Sequence, residues 1–323
     1  MIIELLKDRV RQRFVYIIVL GSIVAMWSAS SCDHLAKQPP DVSLNAMVRR
    51  GDYLVNAVAN CMHCHADRDF TKFGGPTVPG TEGKGGQKKG VSVPNITPTV
   101  LESWTDAGIK RAITSGISNV GDTLFFTMPY MNYQYLSDYD AESIVAYLRT
   151  LKPLADSVPR RNLDQWQPGI LTVAYHNFYV DDVYKLLGDP APGSDAEKGK
   201  YLVTIGGCLG CHTVIDRGKL AFKKDSLFAG GQLSNKPGNN FKVNSANITP
   251  DTATGIGLWT EEVFLAKFQH YRRREAYDYH PGKYNSEMPW SIFANMTDDD
   301  IRSIYRYLRT IKPIRNKVTK WPE

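Results

Sequence analysis

Cys61-Met62-His63-Cys64-His65 and Cys208-Leu209-Gly210-Cys211-His212 decide how this chain is read. Two cysteines separated by two residues, with a histidine directly after the second, occur twice in 323 residues and leave Cys32 as the fifth cysteine. Two thiols at this spacing can add as thioethers to the two vinyl groups on one edge of a porphyrin, and the adjacent histidine is then directed at the iron. A zinc site would need further Cys or His pairs at ligand spacing, which the chain lacks. A redox thiol pair would need a βαβ context and leaves the histidine unexplained. The motifs therefore read as two covalently bound haems c, on Cys61 and Cys64 and on Cys208 and Cys211, with His65 and His212 as iron ligands.

Aligning the chain on these motifs exposes an internal repeat, the feature to be sought before any other organisation. Gly51-Asp-Tyr53-Leu54-Val55 matches Gly199-Lys-Tyr201-Leu202-Val203, Asn95-Ile-Thr-Pro98 matches Asn247-Ile-Thr-Pro250, and Trp104-Thr105-Asp106 matches Trp259-Thr260-Glu261. Met128-Pro129-Tyr130 matches Met288-Pro289-Trp290, and from there the copies keep a constant offset of 160 residues. Over Leu136–Pro153 and Met296–Pro313, 10 of 18 positions are identical. Two similar domains follow, at 48–154 and 195–314, with a tail at 315–323. The insertions that differ between copies fall between the haem motif and the methionine, as expected of loops.

The coarse structure is mainly α. Ser137 and Thr297 are N-cap residues with Asp140 and Asp300 three positions on. The helices they open carry Ile144, Tyr147, Leu148 and Leu151, or Ile304, Tyr307, Leu308 and Ile311, on one face, and Pro153 and Pro313 end them. Thr105 and Thr260 cap a second helix, whereas the Gly- and Pro-rich stretch 74–98 cannot be regular helix. Gly51 and Gly199 lie in helices leading to the haem motifs, where glycine costs about 1 kcal/mol against alanine. The expected reason is a close crossing with the last helix near Tyr147 and Tyr307.

With these motifs in place the chain resembles the class I cytochromes c. In particular it resembles the cytochrome c subunits of membrane-bound bacterial dehydrogenases, which repeat the same motifs and often carry three haem domains where this chain has two. The resemblance covers nearly all of both domains. It implies two tandem class I domains and electron transfer, with Met128 and Met288 as the sixth iron ligands. Iron closed by a protein ligand shuttles electrons, whereas an open position can bind peroxide or oxygen; the soft thioether favours reduced iron. Met131 has Ser291 as its counterpart, Met296 aligns with Leu136, and Met62 is too close to the histidine to cross to the other haem face. His63 aligns with Gly210 and reads as a surface or loop residue, whereas His34, His176, His270 and His280, which have no partner in the repeat, each read as a solvated or hydrogen-bonded histidine. Asn95, Trp104, Asn247 and Trp259 are candidates to support the haems from behind the ligands, a buried indole N–H needing an acceptor such as a propionate, with packing as the other reading.

Ahead of Cys32 stand Lys7, Arg9, Arg11 and Arg13, an apolar run from Phe14 to Trp27, and then Ser28, Ala29, Ser30 and Ser31. This is the layout of an export signal over 1–31, and it resembles bacterial lipoprotein signals, which would make Cys32 the lipidated N-terminus, followed by a linker at 32–47. An uncleaved helix over residues 14–31 is the other reading, 18 residues against the roughly 20 that span a bilayer. Either anchor places the remainder on the periplasmic side of the bacterial cytoplasmic membrane, since the basic end stays cytoplasmic. The interdomain linker, 155–194, carries Trp166, Tyr175, Phe178, Tyr179 and Tyr184, an aromatic content at odds with a floppy tether; helix is expected within 170–187. Arg272, Arg273, Arg274, Lys223 and Lys224 form either a docking face or a solvated one. A net charge of +6 from 39 basic and 33 acidic residues gives no reason to expect nucleic acid.

The expected function is one-electron relay through two haems c. The donor would be a membrane-bound dehydrogenase or another respiratory complex, and the acceptor a terminal oxidase or soluble cytochrome, with the chain as carrier or complex subunit and not itself an enzyme. The alternative is a dihaem peroxidase or oxidase with one open haem, against which the duplicated Met-Pro speaks.

Overall fold

The computed structural model describes residues 43–88, 91–155, 188–216, 218–219, 221–235 and 240–323, together with Val158 and Val183. The export segment, Cys32 and nearly all of residues 155–187 of the 155–194 linker, with its expected helix, lie outside the described residues. Helices α1 (Leu44–Tyr53), α2 (Met62–His65), α3 (Pro98–Leu101), α4 (Asp106–Ser115), α5 (Tyr130–Tyr133) and α6 (Asp138–Leu148) make the first copy. Helices α7 (Asp195–Ile205), α8 (Cys208–His212), α9 (Glu261–Gln269), α10 (Trp290–Phe293) and α11 (Asp298–Leu308) make the second. Among the described residues three antiparallel two-stranded hairpins lie in the loops: β1 (Gly86–Lys88) with β2 (Val91–Val93), β3 (Ile215–Asp216) with β4 (Ala221–Phe222), and β5 (Leu233–Ser234) with β6 (Val243–Asn244). No described helix is long and apolar enough to cross a membrane.

Each copy is organised by the crossing of its first and last long helices, α1 on α6 and α7 on α11. Ser137 and Thr297 cap α6 and α11 through side-chain oxygens that accept from the Asp140 and Asp300 amides at 3.1 and 3.2 Å; Thr105 and Thr260 do the same for α4 and α9. The crossings run over Gly51 and Gly199. A Cβ on Gly51 would lie 1.9 Å from the Ser143 carbonyl oxygen and 2.7 Å from Tyr147 Cβ; one on Gly199 would lie 1.9 Å from Ser303 O and 2.8 Å from Tyr307 Cβ. The crossing expected from the sequence is therefore present in both copies, and the approach leaves room for nothing larger than hydrogen.

The first copy has one more residue than the second between this glycine and the first cysteine, Gly51 to Cys61 against Gly199 to Cys208. The extra residue is absorbed by a π-helical turn, Leu54–Val58, continuing α1. Its wider loop is closed by Ala59 N donating to Leu54 O at 2.7 Å, as π-bulges do within α-helices. The second copy stays α-helical from Asp195 to Ile205.

Leu54, Val55, Val58, Leu202, Val203, Ile205, Ile144, Leu148, Ile304 and Leu308 are all buried in one apolar cluster that runs through both copies, each contributing about 1.5–3 kcal/mol. Reciprocal polar contacts accompany it. Tyr53 of the first copy donates its hydroxyl to Asp300 Oδ2 of the second, and Tyr201 donates to Asp140 Oδ2 of the first. Each aspartate also holds a cation of its own copy: Arg50 Nε is 2.7 Å from Asp140, and Lys198 pairs with Asp300. Thr297 N donates to the Tyr53 hydroxyl at 3.1 Å. The sequence placed Asp140 and Asp300 as local capping partners; their carboxylates instead join a cation of their own copy to a tyrosine of the other, and Tyr53 takes over one orphan amide at the helix start.

Candidate haem sites

Each Cys-x-x-Cys-His run forms one helical turn, α2 or α8, so its two thiols and histidine leave the backbone from a single short element. The residue before it is left-handed in both copies, Asn60 at φ 55° and Gly207 at φ 67°, and Asn tolerates that region better than most residues. All four motif cysteines are unbridged. Burial, reinforced by the second thiol of each pair, pushes the free thiols of Cys61 and Cys208 up to about 12.

The histidines are oriented by backbone. His65 Nδ1 lies 2.9 Å from Pro94 O, and His212 Nδ1 lies 2.8 Å from Ala246 O. A carbonyl can only accept, so Nδ1 carries the proton and Nε2 is left as the electron-pair donor, the arrangement that fixes a metal-binding imidazole. Burial lowers the affinity of His212 for a second proton, opposed by the Ala246 carbonyl, which keeps the ring in its ligating neutral form.

The Asn-Ile-Thr-Pro repeats position those carbonyls. Asn95 follows Pro94; its Oδ1 accepts from Thr97 N and Oγ1 at 2.8 and 2.7 Å, and its Nδ2 donates to Leu154 O at 3.0 Å. Asn247 accepts from Thr249 N and Oγ1 at 2.9 and 2.8 Å and donates to Ile314 O at 2.8 Å. Both asparagines thus tie the histidine-catching strand to the chain just beyond the last helix, one step behind the ligand. Gly85 and Gly230 complete the cradle. Their amides donate to the carbonyls of His65 and His212 at 3.0 and 2.8 Å, and a Cβ would lie 2.5 Å from Pro94 O or 2.5 Å from Ala246 O. These glycines and the two carbonyls escaped the sequence reading, since a backbone acceptor carries no residue signature and the glycines sit in loops of different length.

Trp104 packs against the core, while Trp259 is half-exposed beside Phe264, ring centroids 6.4 Å apart. The carbonyl of Trp104 accepts from Arg149 at 2.5 Å and that of Trp259 from the Tyr305 hydroxyl at 2.6 Å. Met128 and Met288 are both partly buried against the core just ahead of α5 and α10, whereas Met62, Met131 and Met296 are buried packing. His63 has more to do than the sequence suggested: Arg68 Nη1 sits 2.7 Å from its Nδ1. The Arg68 guanidinium donates to Gly75 O at 2.7 Å and to Gly74 O. Burial pulls it down to about 10. Of the basic run, Arg272 is turned inward onto Ala294 O, Met296 O and Asp298, and Arg274 onto Asp278.

Residues 196–312 match the model for the family described as cytochrome c, and residues 46–148 match that described as cytochrome C oxidase, cbb3-type, subunit III. This chain carries two cytochrome c domains. Among similar proteins are the gluconate 2-dehydrogenase cytochrome c subunit of Pantoea cypripedii, 27% identical over 84% of this chain and 61% of the relative, and the alcohol dehydrogenase (quinone) cytochrome c subunit of Gluconacetobacter polyoxogenes, 28% identical over 86% and 58%. The fructose dehydrogenase cytochrome subunit of Gluconobacter japonicus is 31% identical over 39% of this chain and 24% of the relative. The chain spans about three fifths of the length of the first two. Cytochrome c domains bind haem c, and the donor set fits it: in each domain two cysteine sulfurs and an imidazole whose Nδ1 faces a backbone carbonyl come from one turn, with a thioether elsewhere in the domain.

Proposed function

We propose that the chain relays electrons singly between a membrane-bound dehydrogenase and a terminal oxidase or soluble cytochrome, as an electron-transfer subunit without catalysis of its own. The reading rests on the duplication of one site plan: in both domains a backbone carbonyl aims the histidine, and in both a Met-Pro step precedes the helix that leads into the last one. Cys61, Cys64, Cys208 and Cys211 would hold the two haems as thioethers, each S–H adding across one vinyl double bond with no leaving group. His65 and Met128 would ligate one iron, His212 and Met288 the other. The bound haems supply a one-electron iron couple. The Nδ1–H to carbonyl bonds make each histidine a stronger donor.

The dehydrogenase partner is supported by the relatives' names, and the export segment with Cys32 supports a lipid tether on the periplasmic face. Denatured, purified chain should keep the mass of two haems through acid extraction; release of either haem would refute thioether attachment there. Purification in mild detergent should retain a dehydrogenase, and isolation of a lone active carrier would refute the subunit assignment. Cys32→Ser should abolish fatty-acid incorporation, and unchanged labelling would refute lipidation.

A further inference from the structure

The loop that follows the first haem motif reaches into the second domain and stops at Met288. Asn285, three residues before that methionine, is 1% exposed. Its Nδ2 donates to Phe70 O at 2.9 Å and Lys72 O at 3.2 Å, and its Oδ1 accepts from Gly74 N at 2.8 Å. The same Oδ1 accepts from Ser286 N at 2.7 Å, and Ser286 Oγ accepts from Met288 N at 3.1 Å. Hydrogen bonds therefore run without interruption from the first domain's loop to the backbone of the second domain's methionine. The contact is tight as well as polar: a Cβ on Gly74 would lie 3.2 Å from Met288 O. Around it Phe73 N donates to Tyr277 O at 3.1 Å, Phe73 stacks on Tyr271 and Tyr279, and Lys72 pairs with Asp278 at 2.7 Å.

Among the described residues the first site shows no equivalent run of hydrogen bonds. At the constant offset, Asn285 and Ser286 correspond to Phe125 and Phe126, and Met128 N donates to Phe125 O of its own domain at 2.9 Å. We propose that Asn285 is a positioning residue through which the first domain holds Met288 on the second iron, so that sixth ligation at the second haem depends on this polar contact between the domains. The proposal rests on Met288 being that ligand. A buried amide satisfied by three groups of another domain is costly to leave unpaired, which keeps the ligand loop in register.

The test uses the full haem-loaded chain. Met288→Ala should remove about half of the sulfur-to-iron charge-transfer absorption of the oxidised protein, since one of two irons loses its thioether. An unchanged band in Met288→Ala would overturn the ligand assignment, and the proposal with it. If the band is halved, Asn285→Ala should produce the same partial loss, lower one of the two midpoint potentials and leave the other, and let reduced protein bind carbon monoxide at one haem. Gly74→Ala, placed in the opposite domain and leaving Asn285 intact, should do likewise. A full band and both potentials retained in Asn285→Ala and Gly74→Ala, or loss at both haems, would overturn the positioning role.

Discussion

Gly51 and Gly199 show how one residue can carry a fold decision. Helix propensity alone would make alanine better there by about 1 kcal/mol. The Ser143 and Ser303 carbonyls stand 1.9 Å from where the new methyl would be, and overpacking of that kind costs about 1–3 kcal/mol or more. The clash should win: Gly51→Ala and Gly199→Ala are each expected to lower stability by about 2 kcal/mol or more, read from the urea midpoint, and a stabilised variant would refute the close crossing. The crossing was legible in the sequence because a glycine recurs at one helical position in both copies. The carbonyls of Pro94 and Ala246, which set the histidines, were not legible, because any residue type offers that group. Asn95 and Asn247 were visible as a pair, but only their bonds to Leu154 and Ile314 reveal that they brace the strand behind the ligand. Asn95→Ala, leaving Leu154 O and both Thr97 donors without this partner, should cost about 2 kcal/mol; thermal unfolding within a few tenths of the parent would contradict the bracing role.

Among the elements, the long helices were the most readable. Ser137 and Thr297 begin the last helices where the S/T-x-x-D pattern says they should, and Ser137→Ala or Thr297→Ala should each cost about 1 kcal/mol, measured by denaturant unfolding of the holoprotein. Equal stability would mean that the cap oxygen contributes nothing. The π turn at Leu54–Val58 was foreshadowed only as a one-residue difference in spacing, since nothing in Leu-Val-Asn-Ala-Val distinguishes a π turn from an α turn. The same limit applies to Asp140 and Asp300. Their offset from the cap suggested a local capping box, while the side chains answer to tyrosines that lie far away in sequence and close in space.

For the whole molecule, the repeat was evident in the sequence, yet the way its halves meet was not, because no single-copy pattern encodes a contact between copies. Tyr53 and Tyr201 now give that contact a pH signature. Burial first, then the facing Asp300 or Asp140, raises both phenols well above their ordinary value. A raised phenol stabilises the fold in its protonated form, so the contribution is complete below the unfolded value of about 10 and is lost as pH climbs from there toward the raised value. Stability should therefore fall on the alkaline side. Tyr53→Phe or Tyr201→Phe should remove about 2 kcal/mol at neutral pH and flatten that alkaline fall; a fall of unchanged steepness in the double variant would assign it elsewhere.

Both domains share one site plan, which predicts that both irons are closed. Carbon monoxide added to the reduced, native chain tests this most directly, because the gas takes only a position that the protein leaves open or yields. The absorption spectrum of the reduced protein should be unchanged by carbon monoxide at neutral pH, with binding emerging only in variants that lose a sixth ligand, Met128→Ala and Met288→Ala foremost. Stoichiometric binding at one haem of the unmodified protein would contradict the relay and point to a catalytic iron.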